Sequence, residues 1–244
     1  MIVSTALIVL GLVAHLDHTQ RAPVKSTEAG ALSIDALVER FKSEKVFWRQ
    51  FEVARQIAER RDPAVIPALI GLLTHEDRHI RGNAAFVVGR LGDPRGFQVI
   101  AEILDDRSDR PEGQGTPGVA SDGRYRVARQ IASDRYYAVH LFGELRDPQA
   151  VPILVSLFKD PQVNYKVPWA LAQIGDRRAI GPLLNVLDDD SPSMRVAAIE
   201  ALEALNATEA LPRLIALLDD HRPTNTGAQV SVADAARTAI ARLK

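Results

Sequence analysis

One unit of about 30 residues recurs along this sequence, and it constrains the fold more than any other feature. Its clearest copy spans residues 62–92 and reads DPAVIPALIGLLTHEDRHIRGNAAFVVGRLG. Further copies start at residues 93, 147 and 176, and a divergent copy starts at 207. Each copy contains two amphipathic segments that cannot bury their apolar stripes alone but can do so by stacking on neighbouring copies. The repeat therefore predicts an all-α solenoid of about six helix pairs.

The local signals within residues 62–92 support two helices joined by a tight turn. Asp62 is a good N-cap, and Pro63 occupies the first helical position, where a missing N–H costs nothing. Apolar residues then recur with the period of a helix up to the polar segment 74–77. A second apolar stripe ends at Gly92, in the position that favours a left-handed residue after a helix.

Composition excludes several classes of function. The formal net charge of the 244 residues is −1, so no overall field attracts nucleic acid or an anionic membrane. The sequence has no cysteine, which excludes disulfides, thiolate metal sites and cysteine nucleophiles. Glycine-rich phosphate loops, nucleophile elbows and histidine-rich metal motifs are also missing. We therefore predict no catalytic residues, no metal site and no cofactor.

The N-terminus differs from the repeats. Residues 1–16 carry no charged side chain, and this length suits a signal peptide or an anchor. No Lys or Arg precedes the apolar run and no clean cleavage site follows it, so a buried capping helix in a cytoplasmic protein is the alternative. The polar residues 17–32 read as a linker to a repeat domain at 33–244. We favour export, either periplasmic or with a membrane tether through residues 1–16.

The third unit contains an insertion of about 23 residues. Its Gly, Pro, Ser and Asp content predicts a loop near residues 107–123. The segment after this loop is expected to extend the second helix of the unit toward its N-terminus. A second, shorter insertion follows in the last unit, at residues 221–232.

The repeats resemble the HEAT family, and most closely its short bacterial form named after phycobilisome lyases. The resemblance covers roughly residues 33–244 and implies a right-handed α-solenoid. It is carried by Asp-Pro at 62–63, 93–94 and 147–148, by Pro67, Pro152 and Pro212, by Arg81, Arg135 and Arg195, and by the pairs Leu91-Gly92 and Ile174-Gly175.

Arg81, Arg135 and Arg195 each precede the last aliphatic residue of their unit by ten positions. The resemblance implies that such arginines pair with an acidic residue in the turn, for which Asp77 and Asp190 are available. We therefore predict that they order the interfaces between repeats, with a phosphate-binding row as the alternative.

The resemblance also brings two groups of enzymes into consideration. Deoxyhypusine hydroxylase holds two irons through His-Glu pairs, but the matching positions here are Gly82-Asn83, Tyr136-Tyr137, Tyr165-Lys166 and Val196-Ala197. The missing ligands disfavour that activity. Phycobilin lyases bind a tetrapyrrole on the concave surface and attach it to a partner's cysteine, a role that an exported location would contradict.

Aromatic residues occupy two columns, four positions apart, on the second helices of the units. This spacing places them on one helix face, which should line the concave side of the solenoid. Clustered Tyr and Trp residues are typical binding anchors, although the insertion at 107–123 could cover them as a local core. The residues of this predicted binding patch are Phe86, Tyr136, His140, Tyr165 and Trp169.

From these features we predict a non-enzymatic, monomeric scaffold that binds a protein or peptide on its concave face. The alternative is a HEAT-type enzyme or enzyme subunit, similar to a phycobilin lyase or, less favoured, to deoxyhypusine hydroxylase.

Overall fold

A computed structural model of the chain describes residues 32–108, 123–224 and 230–244, with the side chains of residues 123–127 left aside. Residues Ile34–Lys244 form one structural unit. The predicted apolar segment 1–16, most of the linker 17–32 and most of the loop near 107–123 lie outside the described residues. Export and the membrane tether through residues 1–16 therefore stay predictions. Within the described ranges, no helix is long and apolar enough to cross a membrane.

Twelve α-helices in these ranges form six consecutive pairs, in which each first helix contacts the second helix that follows it. The first helices are α1 (Ile34–Ser43), α3 (Ile66–Leu69), α5 (Pro94–Asp105), α7 (Ala150–Ser156), α9 (Ile180–Val186) and α11 (Leu211–Ala216). The second helices are α2 (Phe47–Glu59), α4 (Arg78–Arg90), α6 (Gly123–Leu145), α8 (Val167–Ile174), α10 (Pro192–Ala204) and α12 (Val232–Leu243).

The second helices pack on one another in chain order, from α2 through α4, α6, α8 and α10 to α12. A single bridge between Pro223 and Ser231 is the only β-structure in the described ranges. The predicted all-α solenoid of HEAT-like helix pairs is confirmed.

Aspartate N-caps begin the units, as the sequence predicts. The carboxylates of Asp62, Asp93, Asp147 and Asp176 each accept a hydrogen bond from the backbone amide two positions later, at 2.8 to 3.0 Å. These bonds satisfy one of the free amides of the first turn. In these four units the repeated Asp thus fixes the first turn of the unit.

The first helices are less regular than their apolar pattern predicts. Around Pro67, α3 is only four residues long and is flanked by 3₁₀ turns at Pro63–Val65 and Ile70–Thr74. Proline lacks an N–H and crowds the preceding carbonyls, which breaks the α-helical ladder. The third unit has Gln98 at this position, and its first helix α5 is continuous over 12 residues.

Left-handed residues end the first five second helices. The φ angles are +91° at Gly92 and +77° at Gly175, which confirms the expected glycine C-cap position. The equivalent position in the other units holds Arg61, Arg146 and Asn206, with φ between 51° and 58°. The backbone of the two arginines therefore adopts a conformation that is costly for most residues, whereas asparagine tolerates it better.

The second helices α6 and α8 differ most in length from the 13-residue α4, and both differences bear on the site. After the insertion, α6 extends to 23 residues, as expected. Pro168 lies at the start of α8, which is shortened to eight residues and preceded by a 3₁₀ turn at Asn164–Lys166. The turn carries Tyr165 and Lys166 onto the same surface as Trp169.

The first pair concentrates four aromatic residues, Phe41, Phe47, Trp48 and Phe51, for which a terminal repeat predicts a role in core packing. Phe41 and Phe51 are buried, as this prediction requires. For Trp48 the prediction is wrong, because the residue is 50% exposed and Arg49 lies over its ring. Phe47 is half-buried and takes part in the site described next.

Candidate functional site

The structure brings four of the five predicted patch residues together. Tyr136 and His140 lie one turn apart on α6, and Trp169 on α8 stacks on His140 with ring centroids 4.8 Å apart and planes 15° apart. Tyr165, in the turn before α8, is 36% exposed. The Nζ atom of Lys166 lies 3.3 Å from the centroid of the Trp169 ring and 5.8 Å from that of Tyr136.

Phe86 does not belong to this surface. It is only 2% exposed and packs against Phe51, with ring centroids 5.0 Å apart. Its expected role as an exposed binding residue is wrong, because the neighbouring helix α2 covers this face of α4.

The stacking continues beyond the predicted patch toward the N-terminal repeats. Tyr137 lies 5.8 Å from His140 and 5.1 Å from His79, measured between ring centroids. His79 stacks in turn on Phe47 at 4.1 Å. We call Phe47, His79, Tyr137, His140 and Trp169 the aromatic row. It crosses four consecutive second helices, α2, α4, α6 and α8.

Sequence reasoning missed three members of the aromatic row. Tyr137 falls one position away from the aromatic columns, so the spacing of four does not select it. His79 and Phe47 lie near the N-terminal ends of their helices, outside both columns. The one available signal was the adjacent pair Tyr136-Tyr137, which places an aromatic ring on each of two neighbouring faces of α6.

A buried polar network holds Tyr137 in place. The Tyr137 hydroxyl donates to Asn83 Oδ1 at 2.5 Å, and Asn83 Nδ2 donates to the Gln50 side chain at 2.9 Å and to the Phe47 carbonyl at 3.0 Å. Gln50 donates to the Phe41 carbonyl at 3.0 Å. Because each of these groups is partnered, the network fixes both the Tyr137 ring and the start of α2.

The electrostatics of the site keep its phenols neutral and leave one cation poorly solvated. Burial, and next the nearby Tyr165, raise the pKa of Tyr136 to about 12. Burial and the charge of Glu200 on α10 raise the pKa of Tyr165. Burial lowers the pKa of Lys166 to about 8, while Glu144 acts in the opposite direction. The site thus combines hydroxyl donors, ring faces and an ammonium group.

The repeated arginines lie between repeats, and each contacts a carboxylate that follows it by the same number of residues in the sequence. Arg135 lies 2.6 Å from Asp160 and Arg195 lies 3.0 Å from Asp220, while Arg81 is 3.8 Å from Asp106. Each aspartate follows its arginine by 25 positions, in the first-helix region of the next unit.

The expected pairing with a turn carboxylate of the same unit is wrong. Asp77 instead caps α4 by accepting from the amides of His79 and Ile80. Arg135 is 2% exposed and also donates to the Leu104 carbonyl of its own unit, so it joins two consecutive units.

A further buried charge cluster surrounds Arg78, which the sequence did not single out. Its guanidinium contacts Asp134 on α6 at 3.0 Å and Asp106 at 2.7 Å, and it donates to the Ser108 carbonyl. Hydrogen bonds from Ser108, followed by those from Arg78, outweigh burial and lower the pKa of Asp106. The cluster fixes the end of α5 against α4 and α6. The cluster also contacts the aromatic row, since His79 Nε2 lies 3.9 Å from an Asp134 carboxylate oxygen.

No cluster of three or more His, Cys, Asp or Glu side chains in the described ranges is arranged to hold a metal ion. His75-Glu76, the one His-Glu pair, lies in a turn where the His75 Nδ1 accepts from the Asp77 amide. The site is therefore a surface of rings, hydroxyls and one ammonium group.

Comparison with known proteins gives this architecture a family. A model described as HEAT repeats matches residues 34–112 and 159–233, which together exceed half of the chain. The chain belongs to the HEAT-repeat family. A second model, described as the PBS lyase HEAT-like repeat, matches residues 134–160, the segment that carries Tyr136, Tyr137 and His140.

Two curated relatives of this HEAT-repeat protein are named for bilin chemistry. It is 34% identical over 150 residues to the bilin biosynthesis protein PecE of Mastigocladus laminosus, covering 60% of this chain and 50% of that protein. It is 34% identical over 120 residues to the phycocyanobilin lyase subunit alpha of Synechococcus elongatus, covering 43% of this chain and 44% of that protein. The chain thus spans about half the length of the curated relatives it matches.

Among solved structures, the complex of CpcE and CpcF of phycocyanin lyase from Nostoc sp. PCC7120 resembles the chain with a TM-score of 0.44 and 20% identity, covering 84% of this chain and 77% of that one.

These relatives overturn the main functional prediction from the sequence. A non-enzymatic scaffold is wrong as the primary hypothesis, because the similar curated proteins are a bilin biosynthesis protein and a phycocyanobilin lyase subunit. The alternative, a phycobilin lyase-like subunit, agrees with them better. The protein or peptide partner and the monomeric state stay predictions.

Proposed function

We propose that this HEAT-repeat protein is a phycobilin lyase-type subunit that binds an open-chain tetrapyrrole against Trp169 and its neighbours. The observation that carries the proposal is the 34% identity over 150 residues to a bilin biosynthesis protein. The similarity is to a protein twice as long as the matched region, so the proposal concerns the bilin-handling role and leaves the acceptor protein open.

The geometry of the site is suited to a flat, conjugated ligand. An open-chain tetrapyrrole presents extended π faces, pyrrole N–H donors and two propionate carboxylates. The half-buried rings of Tyr136, His140 and Trp169, with the exposed Tyr165, offer ring surface for the π system. Glu144 and Glu200 supply carboxylates near this surface for N–H groups. Ligand sites commonly combine such apolar walls with a few placed polar groups.

The composition of the chain restricts how a bilin is held. Because the sequence contains no cysteine, a thioether to this chain cannot form. A bound bilin is therefore held without a thioether and passed to a cysteine of another protein. In that addition the acceptor sulfur forms a C–S bond at one carbon of an exocyclic C=C bond, and the thiol proton ends on the neighbouring carbon. The step needs no oxidant or reductant.

Titration of the purified chain with phycocyanobilin tests binding. The two tryptophans provide a matched pair, since Trp169 lies in the site and Trp48 is exposed at the first repeat. We expect the unaltered chain and Trp48→Ala to shift the bilin absorption band saturably, and Trp169→Ala to bind at least about tenfold more weakly, the loss expected for one stacked ring. No saturable change with the unaltered chain, or equal binding by Trp169→Ala, would refute the proposal.

Transfer is tested separately with apo-phycocyanin as the acceptor. We expect the chain, supplied with bilin and with the second lyase subunit of a relative, to increase the acceptor mass by one bilin at a cysteine. An acceptor with that cysteine changed to alanine is the control. Transfer that proceeds equally without this chain would exclude a role in the addition step.

A further inference from the structure

Lys166 is a half-buried ammonium group for which the described part of the chain provides no counter-ion. Among the described residues, no carboxylate oxygen lies within 4.0 Å of the Lys166 Nζ atom, the limit for an ion pair, and no group accepts a hydrogen bond from it. Its observed partners are the ring faces of Trp169 and Tyr136, at 3.3 and 5.8 Å from the centroids. Taking a charge partly out of water is costly unless it is paired, so this arrangement needs an explanation.

The buried arginines of this protein, unlike Lys166, form ion pairs with carboxylates. Arg78, Arg135 and Arg195 are each less than 5% exposed, and each contacts a carboxylate at 3.0 Å or less. Lys166 is the contrast, because cation–π contact replaces an ion pair. Such contact offsets only part of the lost hydration.

The ammonium group of Lys166 and the two phenols beside it suit an anion, while Glu144 and Glu200 are the carboxylates nearby. Tyr136 on α6 and Tyr165 next to Lys166 carry neutral hydroxyls that can donate hydrogen bonds. Glu144 acts on Lys166 only through its field, since it forms no ion pair with the ammonium group. An incoming carboxylate would therefore meet an unpaired cation flanked by two phenol donors, beside the indole of Trp169.

We propose that Lys166 is the residue that recognises a carboxylate of the ligand, with Tyr136 and Tyr165 as neighbouring donors. The assignment rests on the proposed function, and on that basis the carboxylate is a propionate side chain of the tetrapyrrole. Charge-assisted hydrogen bonds are shorter and stronger than neutral ones, so this contact fixes which end of the elongated ligand lies at α8.

The test compares phycocyanobilin, a diacid, with its dimethyl ester, which has the same π system but no carboxylate. We expect the unaltered chain to bind the diacid about tenfold or more tightly, in line with one charged hydrogen bond. Lys166→Met should bind the diacid and the ester equally, at the level of the ester. Lys166→Arg should keep the preference, and Lys159→Met, an exposed lysine in the same repeat, should match the unaltered chain.

The outcomes separate the two proposals. If the unaltered chain binds the diacid and the ester equally, or if Lys166→Met keeps the preference, the assignment of Lys166 is overturned and bilin binding stands. If the unaltered chain binds neither compound, the proposed function itself fails, and the Lys166 assignment with it. Circular dichroism and thermal unfolding of Lys166→Met confirm that the variant is folded before affinities are compared.

Discussion

Gly143 on α6 makes room for the indole of Trp169 on α8. A Cβ atom at residue 143 would lie 2.7 Å from Trp169 Cζ3 and 3.0 Å from the Cα of Ala170. Contacts this short force one group to move, and the backbone of α8 is less able to move than the ring. The absence of a side chain at residue 143 thus sets how closely Trp169 approaches His140.

We predict that Gly143→Ala destabilises the fold by about 1–3 kcal/mol, the usual cost of overpacking a close contact. It should also weaken bilin binding and shift the emission of Trp169, measured in a Trp48→Phe background. Gly181→Ala on α9 is the matched control, because nothing lies within 4 Å of its added Cβ. That control should leave the fold unchanged or raise its stability by up to about 1 kcal/mol. An unchanged emission spectrum for Gly143→Ala would contradict the close packing of Trp169.

The pH dependence of Lys166 gives the second prediction. Its pKa falls from 10.5 in the unfolded chain to about 8 in the folded protein, so the folded state binds fewer protons between these values. Stability from this group therefore rises with pH through that range. Lys166→Met should be more stable than the unaltered chain by about 1 kcal/mol below pH 8, and this advantage should shrink as the pH approaches 10.5. Urea unfolding at pH 7, 8.5 and 10 measures it.

The affinity for the bilin diacid, unlike the stability, should fall as the pH rises. Above pH 8 the ammonium group is increasingly neutral, so the affinity for the diacid should fall toward that for the ester. Burial raises the pKa of Tyr136 to about 12 and also raises the pKa of Tyr165, so both phenols stay neutral over this range and neither produces the change. A diacid preference that is constant from pH 7 to 9.5 would contradict Lys166 as its origin.

The arginines between repeats should differ in their effect on stability. Arg135→Ala removes the buried guanidinium donor of the Leu104 carbonyl, leaves Asp160 only the Gln162 amide as a donor, and should cost about 3–5 kcal/mol. Arg81 is more exposed and lies 3.8 Å from Asp106, which Arg78 already contacts, so Arg81→Ala should cost less than about 1 kcal/mol. Equilibrium urea unfolding ranks the two. Equal losses would show that the arginines act independently of their carboxylates.

The left-handed residues at the helix ends offer stabilising substitutions. Arg61→Gly and Arg146→Gly remove the steric cost of a positive φ and should each stabilise the fold by up to about 1 kcal/mol. Gly92→Ala is the reverse experiment and should destabilise it by a similar amount, since residue 92 has a φ of +91°. Thermal unfolding midpoints provide the comparison. A lower midpoint for Arg146→Gly would mean that its side chain makes contacts worth more than the strain.

Sequence alone predicted those features of the fold that depend on local chemistry. The aspartate caps and the glycines at residues 92 and 175 follow from the needs of single helix ends, and the structure confirms them. Arg61 and Arg146 were not predicted as left-handed, because arginine has no preference for that conformation, whereas Asn206 is of a residue type that adopts it more readily. Alignment of residues 61, 146 and 206 with Gly92 and Gly175 of the other repeats was the signal that could have predicted this conformation.

The candidate site was harder to predict, because it depends on contacts between helices. Helical spacing placed Tyr136, His140 and Trp169 on one surface, but it also included Phe86, which α2 covers. Tyr137 was missed because it lies one position away from the aromatic column of α6. Its ring joins the aromatic row only through the packing of α6 against α4, where it contacts His79. The partner of Arg135 was missed for the same reason, since Asp160 belongs to the next unit.

The constant interval between each repeat arginine and its aspartate bears on how this chain acquired its extra segments. Both long insertions in the sequence start directly after a partnered aspartate, at Asp106 and at Asp220. They therefore fall outside the 25-residue intervals between the repeat arginines and their aspartates, although the Arg78–Asp134 pair spans the first insertion. Lengthening the chain at those two joints leaves each of these 25-residue intervals unchanged. The same joints are where an engineer could graft a new loop or a reporter domain at the least risk to the array.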